Sequence, residues 1–222
     1  EYQSYEVLDD NQRVIFVRKH FFELGLNDPD IKHYTWYSNN PSWVTVSNLI
    51  KNIDIAREEM IHLKKLTNKK FTDIFEKYNE LLNKEKFLDF SSMMCLAVDM
   101  LDSDFSILTE VRKDVQYLIV DEYQDINPVQ ERLIELISTK NNVCVVGDDD
   151  QSIYQWRGTK VKNILTFSKR YPNVSLIPLA DNFRSSEGII KHANHIIGEM
   201  NQTKRLVKKM DWGNKKRKYE EG

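Results

Sequence analysis

Residues 117–159 read YLIVDEYQDINPVQERLIELISTKNNVCVVGDDDQSIYQWRGT, and the rest of the chain is organised around them. Two short apolar runs, 115–120 and 143–146, read as buried strands of a parallel sheet, because apolar residues fill both faces. Each leads into acids: Asp121-Glu122 after the first, and Asp148-Asp149-Asp150, one glycine on, after the second. In open α/β sheets ligands sit at the carboxyl ends of strands. Carboxylates there suit Mg²⁺, an oxygen-seeking ion that travels with phosphates. A helix is expected between the two runs, with Asn127 as its cap, Pro128 at its first position and Gln130 bonding back.

An apolar strand delivering Asp-Glu is the Walker B pattern. Asp121 would hold Mg²⁺, directly or through water, and Glu122 would orient a water for attack on a γ-phosphate. The alternative is two solvated acids at a strand end, since an apolar run followed by Asp-Glu is common.

The second run narrows the choice. The stretch Gly147-Asp148-Asp149-Asp150-Gln151-Ser152-Ile153-Tyr154-Gln155-Trp156-Arg157-Gly158 resembles motif III of the UvrD/Rep/PcrA-type superfamily 1 helicases. Asp121-Glu122-Tyr123-Gln124-Asp125 resembles their motif II, and Asn182-Phe183-Arg184-Ser185 the NYRS of their motif IV, in the same order and spacing. The resemblance is close over residues 88–197 and loose over 5–87. It implies an α/β fold: part of a RecA-like P-loop NTPase parallel sheet, with an inserted, mainly α-helical subdomain. On that resemblance residues 1–87 correspond to the accessory subdomain 1B, 88–178 to part of the first motor domain, and 179–222 to the start of the second motor domain with a basic tail.

The resemblance also implies roles. Gln151 contacts the γ-phosphate and the attacking water, and links hydrolysis to DNA. Tyr154 and Trp156 stack on bases of single-stranded DNA, and Arg157 binds a phosphate; stacking of this kind reads no sequence. Packing within the loop is the alternative for the two rings. Arg184 reaches the γ-phosphate as an arginine finger does. Phe183 stands where the family commonly has Tyr stacking on adenine, and keeps the ring. Ile126 replaces a frequent Thr. After Asp89 the sequence has Ser91, Ser92, Met93 and Met94, so a second acid of the family's DFxDLL segment is absent, and a capped helix starting at Asp89 accounts for what remains.

Composition bounds the rest. The 222 residues are 41% hydrophobic and 30% charged, with net charge −2 and mean hydropathy −0.56. That suits a soluble, cytoplasmic protein. No apolar run approaches a membrane span, and no signal peptide is visible. Any nucleic-acid site must be a local groove, because the chain is not basic overall. Cys95 and Cys144 lie in apolar contexts, which suggests buried reduced thiols, and their spacing gives no zinc site. None of the seven glycines precedes a lysine, so the phosphate-cradling GxxxxGK[ST] loop is missing from these residues. The chain reads as a middle piece of a longer protein, inactive by itself.

Along the chain, a helix is expected over residues 9–24, a loop over 27–41, helices over 42–50 and 53–66, and another through Phe71, Ile74, Phe75, Tyr78, Leu81 and Leu82. Tyr34, Trp36, Tyr37 and Trp43 read as core aromatics rather than base-stacking ones, for want of basic neighbours. A helix over 159–170 and a strand over 174–178 follow. An amphipathic helix from Ser185 then carries Ile189, Ile190, Ala193, Ile196, Ile197 and Met200. The tail from 201 holds eight Lys or Arg and reads as solvated, with phosphate contact as the alternative.

The leading functional reading is part of an ATP-dependent DNA helicase, using ATP and Mg²⁺ and acting on single-stranded DNA and a duplex junction, with 3′ to 5′ polarity by resemblance. A non-hydrolytic single-strand-binding or scaffold protein is the second reading. A two-metal nuclease using Asp121, Glu122 and Asp148–Asp150 is the third. Pathway, oligomeric state and protein partners leave no mark in the sequence.

Overall fold

The computed structural model describes residues 2–28, 41–138, 142–152, 162–171, 173–200, 205–206 and 208–213. The chain divides into two compact units: Glu1–Tyr117 with Asn127–Thr139 and Trp156–Gly158, and Leu118–Ile126 with Lys140–Gln155 and Thr159–Gly222. No helix among the described residues is long and apolar enough to cross a membrane.

The first unit is mostly helical. Strand β1 (Glu6–Leu8) leads into α1 (Asp10–Lys19), which opens on a capping box: Gln12 N–H donates to Asp9 Oδ1 and Asp9 N–H to Gln12 Oε1. This satisfies two of the donors a helix start leaves orphaned. The helix stops at Lys19, short of the expected Leu24. His20 caps it, and turns continue to Gly25, which takes φ +70°. Leu24 and Leu26 are still buried, so the apolar spacing that suggested helix is satisfied by turns.

The next helix, α2 (Pro41–Glu58), is one element where two were expected. It buries Val46, Leu49, Ile53 and Ala56, a single helical stripe with no Gly or Pro to interrupt it. It ends eight residues before Leu66. Met60 turns the backbone at φ 52°, and a single 3-10 turn follows at Leu63–Lys65. Asn68 caps α3 (Lys69–Glu85), which buries Phe75, Tyr78, Leu81 and Leu82, as its periodicity requires. Strand β2 (Phe87–Asp89) pairs parallel with β1 in the register Glu6↔Phe87 to Leu8↔Asp89.

A charged cluster sits inside this core. Asp89 is 0% exposed. Its carboxylate meets Arg57 Nη1 at 2.5 Å and Arg13 Nε at 3.2 Å, and accepts from Tyr78 OH at 2.7 Å. Burial by itself would raise the Asp89 pKa, but the two guanidiniums outweigh it and hold the carboxyl well below the usual range. The same carboxylate caps α4 (Phe90–Ser103) by accepting from Ser92 N–H, as the capped-helix reading required. Cys95, on α4, is partly buried, and burial pushes its thiol up to about 11. A second apolar cluster joins α4, α5 (Phe105–Asp114) and α6 (Pro128–Ile137) through Val98, Leu101, Leu108, Val129 and Leu136. Helix α6 starts as expected: Asn127 caps it, Gln130 returns the bond, and Pro128 opens the first turn.

Trp43 departs from the expected core role. It is 49% exposed, with the Arg18 guanidinium 5.9 Å from its ring centroid. The basic partner comes from α1, out of view of the local sequence. Tyr34, Trp36 and Tyr37 lie outside the described residues.

In the second unit β3 (Leu118–Val120) and β4 (Val143–Val145) pair parallel, Leu118↔Val143 through Val120↔Val145, with both acid clusters at the carboxyl ends. The expectation of two buried faces is not met. Ile119 is 73% exposed, and its register partner Cys144 is exposed too. A three-residue strand in a two-stranded pair alternates its side chains, and only one side is packed. Helix α7 (Lys162–Arg170) covers most of the span expected for it. Residues 174–178 form no strand; Leu176 and Ile177 are exposed, and an apolar run without a hydrogen-bonding neighbour stays irregular. Strand β5 (Asp181–Asn182) instead pairs parallel with β6 (Asp211–Trp212). Helix α8 (Glu187–Glu199) follows Ser186. Of its apolar stripe Ile190 is buried, while Ile189, Ile196 and the following Met200 are exposed.

Candidate active site

The carboxyl ends of β3 and β4 are locked to one another by backbone bonds. Val146 N–H donates to Val120 O at 2.8 Å, and Tyr123 N–H to Val146 O at 2.9 Å. This lacing brings the two acid clusters to one edge. Asp121 is exposed, and its Oδ1 accepts the Glu122 N–H at 2.9 Å. Oδ2 has no partner among the described residues. An exposed carboxylate with one oxygen to spare, at a strand's carboxyl end, fits a single Mg²⁺ contact.

Glu122 takes φ 50° and ψ 40°. Left-handed backbone at a non-glycine residue costs roughly 1–3 kcal/mol and clusters at functional sites. The turn that follows, Tyr123–Asp125, is one of 3-10 type and holds two buried side chains. Tyr123 packs edge-on against Phe167 of α7 at 5.4 Å and accepts a hydrogen bond from Arg170 Nη2 at 3.0 Å. Gln124 is 1% exposed. Its Nε2 donates to Glu122 Oε2 at 2.7 Å, and its Oε1 accepts from Asp148 N–H at 2.9 Å. Asp125 lies beside them; burial first, then the Glu122 charge, raises its pKa.

The β4 side closes as another 3-10 turn, Asp149–Gln151, capped by Asp148, whose side chain accepts from Asp150 N–H. Gln151 Nε2 donates to Asp148 Oδ2 at 2.7 Å. The three aspartates have cationic partners. Lys208 Nζ is bonded to Asp148 and Asp149 and lies 3.3 Å from Asp150. Arg205 Nε donates to Asp150 Oδ1 at 2.9 Å, and Leu206 N–H to Asp149 Oδ2 at 2.9 Å. Burial would raise the Asp148 pKa, but the Lys208 and Gln151 bonds lower it further than burial lifts it. Among the described residues these are the carboxylates close enough in a group of three to hold a metal, within 4.8 Å of one another. With an ammonium and a guanidinium already among them, they do not fit one. The solvated tail expected from residue 201 is thus corrected at Arg205 and Lys208: an acid triad this dense draws them in.

Asp121, Glu122, Asp148 and Gln151 are therefore gathered on one edge. Phe183 and Arg184 sit on the turn between β5 and α8. Asn182 Oδ1 accepts from Arg184 N–H at 3.0 Å and Ser185 N–H at 2.9 Å, which shapes the turn. The Phe183 ring lies so close over Gly213 that a Cβ there would fall 2.6 Å from it. The Phe183 and Arg184 side chains are exposed. Among the described residues, Arg184 makes no hydrogen bond to Glu122 or Gln151. Tyr154, Trp156, Arg157 and the basic run 215–218 lie outside the described residues.

Residues 4–172 match the family model of the UvrD/REP helicase N-terminal domain. The chain belongs to that family.

Similarity to individual UvrD/REP proteins agrees. The chain is 39% identical over 149 residues to the ATP-dependent DNA helicase Rep of Buchnera aphidicola subsp. Acyrthosiphon pisum, covering 66% of this chain and 23% of that protein. It is 41% identical over 127 residues to the ATP-dependent DNA helicase PcrA of Bacillus subtilis, covering 57% and 17%. A third relative, the PcrA of Staphylococcus aureus strain Mu50, is 38% identical over 132 residues, covering 59% and 18%. The chain thus spans about a fifth of the length of the curated UvrD/REP relatives it matches. Two features of the site escaped sequence reasoning. Gln124 stood inside the motif without a role, and Arg205 and Lys208 stood in a tail read as solvent-facing. The signal that could have found the latter is opposite charge: three consecutive acids need cations from somewhere.

Proposed function

We propose that this chain is part of the motor of an ATP-dependent DNA helicase. In this reading β3 and β4 belong to a RecA-like sheet, residues 1–87 are the 1B-like subdomain, 88–178 part of the first motor domain, and 179–222 the start of the second. The motor hydrolyses ATP and moves along single-stranded DNA toward a duplex junction, 3′ to 5′ by family resemblance, in the cytoplasm. The observation that carries the reading is Glu122: an exposed carboxylate in strained left-handed backbone, beside Asp121, at the carboxyl end of a parallel strand.

Asp121 would hold Mg²⁺, which when bound supplies charge neutralisation at the phosphates. Glu122 would accept a proton from, and aim, the attacking water. Gln151 would bind the γ-phosphate, and Arg184 would supply a second positive charge. Phe183, exposed on its turn, offers a ring face for the adenine. Tyr154 and Trp156 would stack on bases and Arg157 would hold a phosphate. The occupation of Asp148–Asp150 by Lys208 and Arg205 weighs against a nuclease that needs those acids for metals.

The test is Glu122→Gln in the intact protein. It should bind Mg²⁺-ATP within a few-fold of wild type and lose turnover by about 10²–10⁴-fold, the range of a general base. Near-normal kcat in a steady-state phosphate-release assay rules Glu122 out.

A further inference from the structure

Gln124 is a buried amide with both ends committed, and the commitment crosses between the two acid-bearing turns. Its Nε2 donates to Glu122 Oε2 at 2.7 Å. Its Oε1 accepts the backbone N–H of Asp148 at 2.9 Å. A 1%-exposed side chain cannot trade either bond for water, so it stays where the two partners hold it. The wall behind it is closed as well. A Cβ on Gly147 would lie 2.7 Å from Gln124 Oε1 and 3.2 Å from Tyr123 N, so glycine at 147 is what lets the amide reach Asp148. Glu122 also needs help to keep one orientation: it is exposed, long, and on a left-handed residue.

We infer that Gln124 is a positioning residue that fixes the Glu122 carboxylate and ties it to the Gly147-Asp148 turn, so that a shift of that turn is carried to the carboxylate. The inference rests on the reading of Glu122 as the hydrolytic base. Of the two carboxylate oxygens, Oε2 is taken by the amide, which leaves Oε1 to face a water. The other side of the tie has its own anchor, because Asp148 also caps its turn and accepts from Gln151 Nε2 at 2.7 Å. A displacement at Gln151 therefore has a continuous hydrogen-bonded path to Glu122: Gln151 side chain, Asp148, Gln124 amide, Glu122. Gln124 touches neither nucleotide nor water in this scheme and acts only through Glu122.

The experiment is a double-mutant cycle in the intact protein, with kcat and KM for ATP measured with and without single-stranded DNA. Gln124→Met keeps the length and apolar packing of the side chain and removes both bonds; Gln124→Glu keeps the acceptor for Asp148 and sets a second carboxyl against Glu122, so that the two share a proton and Glu122 is no longer a free base. Each should lower kcat about 10- to 100-fold, the range for losing a hydrogen bond to a charged group, while KM stays within about twofold. Placed on top of Glu122→Gln, the same changes should lower kcat no further, because the group being aimed is already gone. A purely structural role would instead multiply the two losses, and that result overturns the inference, as does wild-type kcat in both single variants. Thermal melts accompany the cycle: should Gln124→Met fold poorly, the near-isosteric Gln124→Glu carries the comparison. If wild type turns ATP over and Glu122→Gln does so equally, the underlying reading fails and this one with it. If Glu122→Gln is inactive and the Gln124 variants are normal, only the role of Gln124 fails.

Discussion

Lys208 Nζ is bonded to the carboxylate of Asp149, whose side chain is 1% exposed. The pairing joins residues far apart in sequence and converts an acid triad from a possible metal cradle into a closed electrostatic cluster. Lys208→Met should leave Asp149 buried with only the Leu206 N–H and its neighbours for company. Because Lys208 is itself partly exposed and Arg205 remains, the expected cost is about 1–3 kcal/mol. Urea titration of the chain reads it directly. A variant as stable as wild type would mean the triad is satisfied without its lysine.

The buried Asp89 gives a pH signature. Its carboxyl lies well below the usual range when folded, while in the unfolded chain it titrates near ~3.9. A group with a depressed folded pKa contributes stability that is present above the unfolded value and is lost as pH falls toward the folded one. Asp89→Asn leaves the buried Arg57 without its anion, while Arg13 keeps Asp54 at 2.7 Å, and should cost ~3–5 kcal/mol at neutral pH. The gap between wild type and variant should narrow steadily below about pH 4, since wild type then loses the same charge. A gap that stays constant from pH 7 to 2.5 contradicts the ion-pair account.

Trp156→Ala in the intact protein should weaken single-strand binding by ~1–3 kcal/mol with little sequence preference, and should reduce the stimulation of ATP turnover by DNA. Fluorescence anisotropy with poly-dT measures the first effect. Unchanged affinity returns Trp156 to a packing role.

The 222-residue chain by itself should neither hydrolyse ATP nor bind it with micromolar affinity. Its residues include no GxxxxGK[ST], hence no lysine and backbone cradle to offset the repulsion between the triphosphate and Asp121 and Glu122. Lys208 is already engaged by aspartates. Calorimetry with Mg²⁺-ATP and a phosphate-release assay test this. DNA-stimulated release above buffer would mean a nucleotide site built from other residues.

What the sequence determined by itself was local or carried by motif. Asn127, Pro128 and Gln130 announce the start of α6 within four residues, and the capping box at Asn127 forms as those residue types require. Asp9 and Asp89 cap their helices by the same rule. The apolar runs before Asp121 and Asp148 pair as parallel neighbours with their acids at one end, and motifs II, III and IV carried the family. Tertiary structure decided everything that depends on which surface meets which. Residues 115–120 and 174–178 are similarly apolar, yet only the first contributes a paired strand, since pairing requires a hydrogen-bonding neighbour and apolarity does not supply one. Ile119 is exposed because burial belongs to the packed pair of faces, not to the residue. Arg205 reaches Asp150 across 55 positions, and Gln124 reaches Asp148 across 24. Charge and amide groups carry no address in sequence; they bond where chain folding leaves an oppositely charged or unsatisfied group within about 3 Å.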